Sequence, residues 1–487
     1  MTSPATTFDD SLVPADKGGQ FLGHPKGLQV LFFTEMWERF SYYGMRALLM
    51  LFMVAPVSSG GFGFSTMKAA SIYGWYTALV YLACIPGGWV ADRYIGQRKA
   101  IFTGGVLLCI GHALLAFVNE SSFFVGLGFI IVGTGLLKAN ISAIVGGLYT
   151  KDDPRRDGGF SIFYMGINIG AMLSPLACGY LGQKVSWHWG FGLAGIGMGL
   201  GLIQFVLGSK HLGEVGTKPQ MKDSGVQIPL GKHLAVDAVA FGLAYLGGGI
   251  VGGIYCFVVT HFMFMLFYQG FTTEEWKRVG AIGCFFAFAA LFWGAFEQAG
   301  SSLNLFADQY TDNTFMGWSF PSSWYQSVNA LLIIALAPAF SWLWGSLGKR
   351  NPSSPVKFAF GLLFVGLGFL VMAVAARFIG TPEAKSLVSP NWLMLCYLLH
   401  TIGELTLSPV GLSLMTKLSP PRVVGMMMGV WFLAASLGNK IGGMAAGYFD
   451  TFPLPSLFGI VFLTTAATAL LALILTKPIR KLMGDVL

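Results

Sequence analysis

The first long apolar run of this chain contains the stretch Thr34–Arg46, TEMWERFSYYGMR, with Glu35, Glu38, Arg39 and Arg46 inside it. On insertion scales a charge at the centre of a hydrocarbon layer costs about 2.5–3.5 kcal/mol. At about 100° per residue along a helix, Glu35, Glu38, Arg39, Tyr42, Tyr43 and Arg46 fall within an arc of roughly 140°. Four charges and two phenolic hydroxyls therefore share one face, which belongs against a wet cavity or a helix interface and not against lipid. Further charges lie in later apolar runs: Lys138 (GTGLLKANISAIVGG), Glu297 (FWGAFEQAGSSLNLF), Glu404 (LHTIGELTLSPVG) and Lys440 (LGNKIGG). Arg39, Arg46, Lys138 and Lys440 stand against Glu35, Glu38, Glu297 and Glu404, the balance that mutual pairing requires. A single buried pair could simply lock two helices together. A stripe of six polar groups points to a pathway for a charged solute or a proton.

The elements that carry these charges follow from composition. Of 487 residues 54% are hydrophobic and 11% charged, against about 25% charged in soluble domains. Apolar runs near the ~20 residues that cross a bilayer recur along the chain, too long and continuous for barrel strands. The chain reads as an all-α polytopic membrane protein. Spans are expected at 28–56, 66–91, 99–118, 122–149, 160–183 and 190–209, then at 277–307, 323–347, 356–378, 391–416, 422–447 and 454–476. Between the two sets, Lys210–Lys232 is polar and His233–Gly270 apolar, with GGGIVGG (Gly247–Gly253) as a candidate turn.

Loop charges orient the chain. The segments assigned to the inside, among them those carrying Lys17, Lys151, Lys222 and Arg422, hold 22 of the 30 basic residues, and the outside loops hold Lys68, Lys184, Arg377 and Lys385. This bias places both termini in the cytoplasm. It also puts Lys232 and Lys277 on one side, so 233–270 is expected to cross twice, as a hairpin that brings the total to fourteen spans; a hairpin lying in the interface is the alternative. The expected organisation is a tail at 1–27, a six-helix bundle at 28–209, a linker and hairpin at 210–276, a second bundle at 277–476 and a tail at 477–487. The net charge of +8 reports on a cytoplasmic leaflet and not on nucleic acid. No cleavable signal is expected, because residues 1–27 are polar and the first apolar run exceeds a signal core. The six cysteines fall in spans without a CxxC pair, as small core residues, and no metal site or P-loop is visible.

Counted as six and six, the ionisable residues at Glu35–Arg46, Lys138, Glu297 and Glu404 sit on helices 1, 4, 7 and 10, the same two positions in each half. Matched halves with charges near the middle are the pattern of repeat-built carriers. Gly88–Lys99 (GWVADRYIGQRK) resembles the loop signature of the major facilitator superfamily. Glu35-x-x-Glu38-Arg39-Phe40-x-Tyr42-Tyr43 is similar to the ExxERFxYY signature of the proton-dependent oligopeptide transporter (POT) family within it. Phe160–Met172 (FSIFYMGINIGAM), Trp293-x-x-Phe296-Glu297-Gln298-x-Gly300-Ser301 and Gly403-Glu404-x-x-x-Ser408-Pro409-Val410-Gly411 resemble that family's later helices. The resemblance covers nearly the whole chain, including an extra hairpin between halves.

The resemblance implies a major facilitator fold and a proton-coupled symporter that imports di- and tripeptides across the bacterial inner membrane by alternating access, as a functional monomer without a cofactor other than the coupling proton. It implies that Arg39, Lys138 and Asn168 hold the peptide carboxylate, that Glu404 and Asn329 hold the amine, and that Tyr42, Tyr43, Tyr81 and Trp431 line the side-chain space. It implies proton coupling at Glu35, Glu38 and Glu297, and gating ion pairs of Arg46 with Glu297 and of Lys138 with Glu404. The residue types suit these roles. A short peptide is a zwitterion, guanidinium matches carboxylate, amides serve either end, and aromatic walls accept many side chains. On spacing alone Tyr81 and Trp431 read as packing residues. His112, His261 and His400 read as hydrogen-bonded core histidines. Lys440 reads as snorkelling or paired, Thr272–Arg278 as a capped helix start, and Ala435 as a position where a family hydroxyl is missing. A relative carrying nitrate or another metabolite is the alternative. A channel gives no reason for charges in two matched halves, and an intramembrane hydrolase would need an HExxH, GxSxG or paired-Asp motif that the chain lacks.

Overall fold

The computed structural model describes residues 20–117, 119–150, 152–219, 230–381, 384–420 and 423–484. The tail ends and the loop residues Lys17, Lys151, Lys222 and Arg422 lie outside them. Among the described residues the chain is helical, apart from three two-residue β-hairpins in loops.

The first half comprises α1 (Lys26–Val54), α2 (Thr66–Leu82) continued by α3 (Cys84–Val90), α4 (Gln97–Ala116), α5 (Glu120–Gly147), α6 (Arg156–Tyr180) and α7 (Trp187–Gly208). After α8 (Leu230–Phe267), the second half comprises α9 (Thr273–Phe296) with the short α10 (Ser302–Tyr310), α11 (Gln326–Ser346), α12 (Ser354–Ala375), α13 (Asn391–Leu418), α14 (Val424–Ala446) and α15 (Leu454–Ile474), and α16 (Thr476–Met483) ends the described chain. These follow the expected spans closely, because apolar runs of this length leave the backbone no other way to satisfy its polar groups in lipid. Local signals set several starts. Ser65 and Asn119 accept from the backbone N–H three residues on, and Thr272 with Glu275 forms the reciprocal capping box that opens α9.

Among the described residues twelve helices are long and apolar enough to cross a membrane, and α1 is not among them. Its 29 residues suffice, but its charges break the apolar run. Within α8 the chain folds back as a helical hairpin. Gly249 (φ 61°, ψ −160°) interrupts α8 within the glycine run, a conformation open only to glycine. The second arm, Gly248–Phe267, is long enough to cross, whereas the apolar part of the first is only Ala235–Leu246.

Packing repeats between the halves. In the first, α1 packs on α6, α4 on α5, and α4 on α7; in the second, α9 packs on α14, α12 on α13, and α12 on α15. Glycines permit the closest approaches, and a Cβ on Gly403 would lie 2.8 Å from the Gly361 carbonyl between α12 and α13. The halves meet along α2 with α14 and along α6 with α11. In units of six spans these contacts are second-with-eleventh and fifth-with-eighth, which one two-fold axis exchanges.

The polar contacts across this seam are one-sided. Gln183 donates to Ser322 Oγ (2.8 Å) and Asp308 Oδ1 (3.3 Å) and accepts from the Ser323 N–H (3.1 Å). Trp324 Nε1 donates to the Leu176 carbonyl (3.0 Å), Asn304 Nδ2 to the Ala47 carbonyl (2.9 Å), and Lys184 Nζ to Ser319 Oγ (3.2 Å). All lie toward the end away from the start of α1 and the end of α15, called here the far end. Midway, Ser436 Oγ donates to the Ala78 carbonyl. Among the described residues the side-chain hydrogen bonds between the halves gather at the far end, while at the near end Gly429 of α14 approaches Ile85 of α3.

Candidate transport site

The helical period of α1 aims its charged face inward. Glu35, Glu38, Arg39, Tyr42 and Arg46 are all buried. Arg39 Nε lies 3.1 Å from Glu35 Oε1 and pairs also with Glu38. Its guanidinium sits 5.5 Å from the Tyr42 ring centre, and that of Arg46 5.8 Å from Tyr43. Two carboxylates thus share one guanidinium, whose buried Nη2 makes no hydrogen bond within the protein.

Lys138, half-buried on α5, places Nζ 4.1 Å over the ring of Tyr81 on α2. Asn168 on α6 donates to the Tyr164 carbonyl of its own helix (2.9 Å). On the opposite half, Asn329 Nδ2 donates to Glu404 Oε2 (3.0 Å), joining α11 to α13. Lys138, Tyr81, Asn329, Glu404 and Tyr43 are the half-buried members of the set.

One ion pair crosses the seam. Arg46 Nη2 pairs with the Glu297 carboxylate at the end of α9 and reaches its carbonyl at 3.4 Å, while Arg46 Nε donates to Tyr73 OH (2.7 Å). Both charges are buried, so each depends on the other for its solvation.

The second implied pair is not formed. Lys138 is turned onto Tyr81 and Glu404 onto Asn329, and no ion pair joins them. Trp431 is 5% exposed and packed against Gly411, where a Cβ would collide with its ring. His261 is hydrogen-bonded, to Asp237 Oδ2 across the α8 hairpin (2.7 Å). His400 contacts Cys396 Sγ at 3.6 Å among aromatic rings. His112 departs from expectation, fully buried with no hydrogen bond on either ring nitrogen. Lys440 lies 3.9 Å over the ring of Trp75. Ala435 is buried, and its neighbour Ser436 turns to α2.

Three residues absent from the sequence reading complete the arrangement. Tyr73 clamps Arg46. Thr401 accepts from Asn329 Nδ2 (3.1 Å). Tyr164 is 43% exposed. Tyr73, Thr77 and Tyr81 recur at i, i+4 and i+8 on α2, a polar stripe that would have flagged Tyr73.

Two matched six-helix bundles with buried charges at the seam between them define a membrane transporter. The chain matches the profile of the POT family (PTR2) over residues 98–231 and 253–460, and it belongs to that family. It is 42% identical to a peptide transporter of Yersinia enterocolitica subsp. palearctica, over 96% of this chain and 97% of that one. It is 39% identical to a di-/tripeptide transporter of Lactococcus lactis subsp. cremoris, over 96% and 98%. Among solved structures it resembles a peptide transporter POT crystallised with sulfate, with a TM-score of 0.85 and 40% identity over 99% of this chain and 100% of that one.

Proposed function

We propose that this protein is a proton-coupled symporter that imports di- and tripeptides across the bacterial inner membrane by alternating access. The observation that carries the reading is the division of charge between the halves. The first half offers Arg39 and Lys138 as cations, and the second offers Glu404 with Asn329. A zwitterion with ends several ångströms apart needs such a split. Named peptide carriers at about 40% identity across the full length support the same solute class.

In this reading Arg39, Lys138 and Asn168 receive the carboxylate, Glu404 and Asn329 the ammonium, and Tyr42, Tyr43, Tyr81 and Trp431 bound the side-chain space. Glu35, Glu38 and Glu297 carry the proton. Burial favours a neutral carboxyl and an adjacent cation favours an ionised one, so a group beside Arg39 or Arg46 changes its affinity for a proton as the seam opens. Protonating Glu297 releases Arg46 and unlocks the far end. The peptide carboxylate draws Lys138 from Tyr81, and in another state Lys138 pairs with Glu404.

In this reading the near end, where α1 begins and α15 ends, faces the cytoplasm. Residues 28–209 and 277–476 are the rocking bundles, 210–276 the linker and hairpin, and 1–27 and 477–487 cytoplasmic tails. The protein works as a monomer in the bilayer, with the proton as its coupling ion, no further cofactor and no nucleic-acid partner.

Uptake of labelled dialanine into proteoliposomes, with and without an inward proton gradient, tests this. Accumulation above equilibrium only with the gradient is the expected result. Uptake that merely equilibrates would remove the coupling, and no uptake would remove the peptide.

A further inference from the structure

Asn329 makes its two hydrogen bonds from one atom. Its Nδ2 lies 3.0 Å from Glu404 Oε2 and 3.1 Å from Thr401 Oγ1. The Thr401 hydroxyl lies 2.7 Å from the Tyr397 carbonyl, and Thr401 is fully buried. A hydroxyl has one proton. Here it goes to the Tyr397 carbonyl, which can only accept, so toward Asn329 the hydroxyl offers lone pairs alone. An ionised carboxylate likewise only accepts. Two acceptor-only partners on α13 therefore converge on the same end of the amide, which must be its NH2. The chemistry of the partners fixes the orientation of Asn329 and turns Oδ1 away from Thr401.

We propose that Thr401 is a positioning residue for the amine end of the transported peptide. It holds the Asn329 amide so that Oδ1 stands beside the Glu404 carboxylate as a second acceptor. This rests on the peptide reading given above. An ammonium group has three donors and no acceptor, so a pair of acceptors fits it. A blocked N-terminus offers one N–H and a carbonyl instead. Without the Thr401 hydroxyl, one of the two restraints on the amide is gone. The amide can then turn its NH2 toward the substrate, where it opposes an ammonium and suits a carbonyl. Thr401 thereby contributes to selection of peptides with a free amine.

Thr401→Val keeps the shape and removes the hydroxyl, and Thr401→Ser keeps the hydroxyl. In proteoliposomes the quantities to measure are KM and Vmax for dialanine and inhibition by N-acetyl-dialanine. For Thr401→Val, KM for dialanine should rise about tenfold, the weight of one oriented hydrogen bond to a charged group, with Vmax held. Inhibition by N-acetyl-dialanine should stay the same or improve, which narrows the preference for a free amine. Thr401→Ser should restore both. Should Thr401→Val not reach the membrane, Thr401→Ala carries the same expectation. A valine variant with wild-type KM and preference, or a serine variant as impaired as valine, overturns the positioning role alone. Wild-type protein that neither takes up dialanine nor prefers it to the acetylated form overturns the peptide reading, and this inference with it.

Discussion

At the scale of single residues, the deciding fact is that Arg46 and Glu297 are both buried and face each other across the seam. Removing one member of a buried pair strands the other. Glu297→Gln keeps an oxygen acceptor for Arg46 but cannot carry a proton in place of a charge. The expected outcome is loss of gradient-driven dialanine accumulation with counterflow exchange retained, measured in the same vesicles. Full accumulation by the variant would take Glu297 out of the coupling scheme. The carboxylate end allows a sharper test. Lys138 lies over the Tyr81 ring and forms no ion pair among the described residues, so its charge is available to a substrate. Lys138→Gln should weaken competition by dialanine about tenfold or more, the weight of a charge-assisted hydrogen bond. It should leave competition by alanyl-alanine amide, which lacks the carboxylate, nearly unchanged. Equal losses for both competitors would place Lys138 in packing.

At the scale of elements, what the sequence revealed depended on what set each feature. Span positions were legible because run length is a local property that the bilayer enforces on every helix. The α8 break was legible because GGGIVGG holds the only residues able to take φ 61°, ψ −160° there. The charged face of α1 was legible because its 3.6-residue period needs no knowledge of neighbours. Tyr73 was not, since its role depends on how α2 is rotated against α1. The Lys138–Glu404 pair was not, because one sequence serves several states and this one keeps the two apart. Close approach across the seam is likewise invisible in sequence. A Cβ on Gly443 of α14 would lie 2.5 Å from the Gly74 Cα of α2, too near for either backbone to hold its place. Gly443→Ala is expected to prop the far end apart. With Gln183→Cys as reporter, labelling by a membrane-impermeant thiol reagent from that end should rise several-fold, about 1 kcal/mol of shift in the open–closed balance. Unchanged labelling would show that the seam opens without parting these glycines.

At the scale of the whole molecule, alternating access requires every far-end contact between the halves to break together, while α1 with α6 and α9 with α14 stay packed. The two seams are exchanged by one two-fold axis, so separation at one end accompanies approach at the other. The far-end contacts include the Gln183, Trp324 and Asn304 hydrogen bonds, the Arg46–Glu297 pair and the close approach of Gly443 to Gly74. A covalent clamp there separates binding from transport. A Cβ on Gly179 would lie 3.3 Å from the Ser323 Cβ, close to the roughly 3.5–4.5 Å of a disulfide. With Cys178→Ala to remove the adjacent thiol, a Gly179→Cys, Ser323→Cys pair should oxidise and hold the far end shut. Accumulation should stop under oxidation and return on reduction, while detergent-solubilised protein binds dialanine equally in both states, because the cross-link leaves the near end free to part. Transport that continues with the cross-link intact would mean that the bundles do not rock about this seam, and would move the gate elsewhere in the chain.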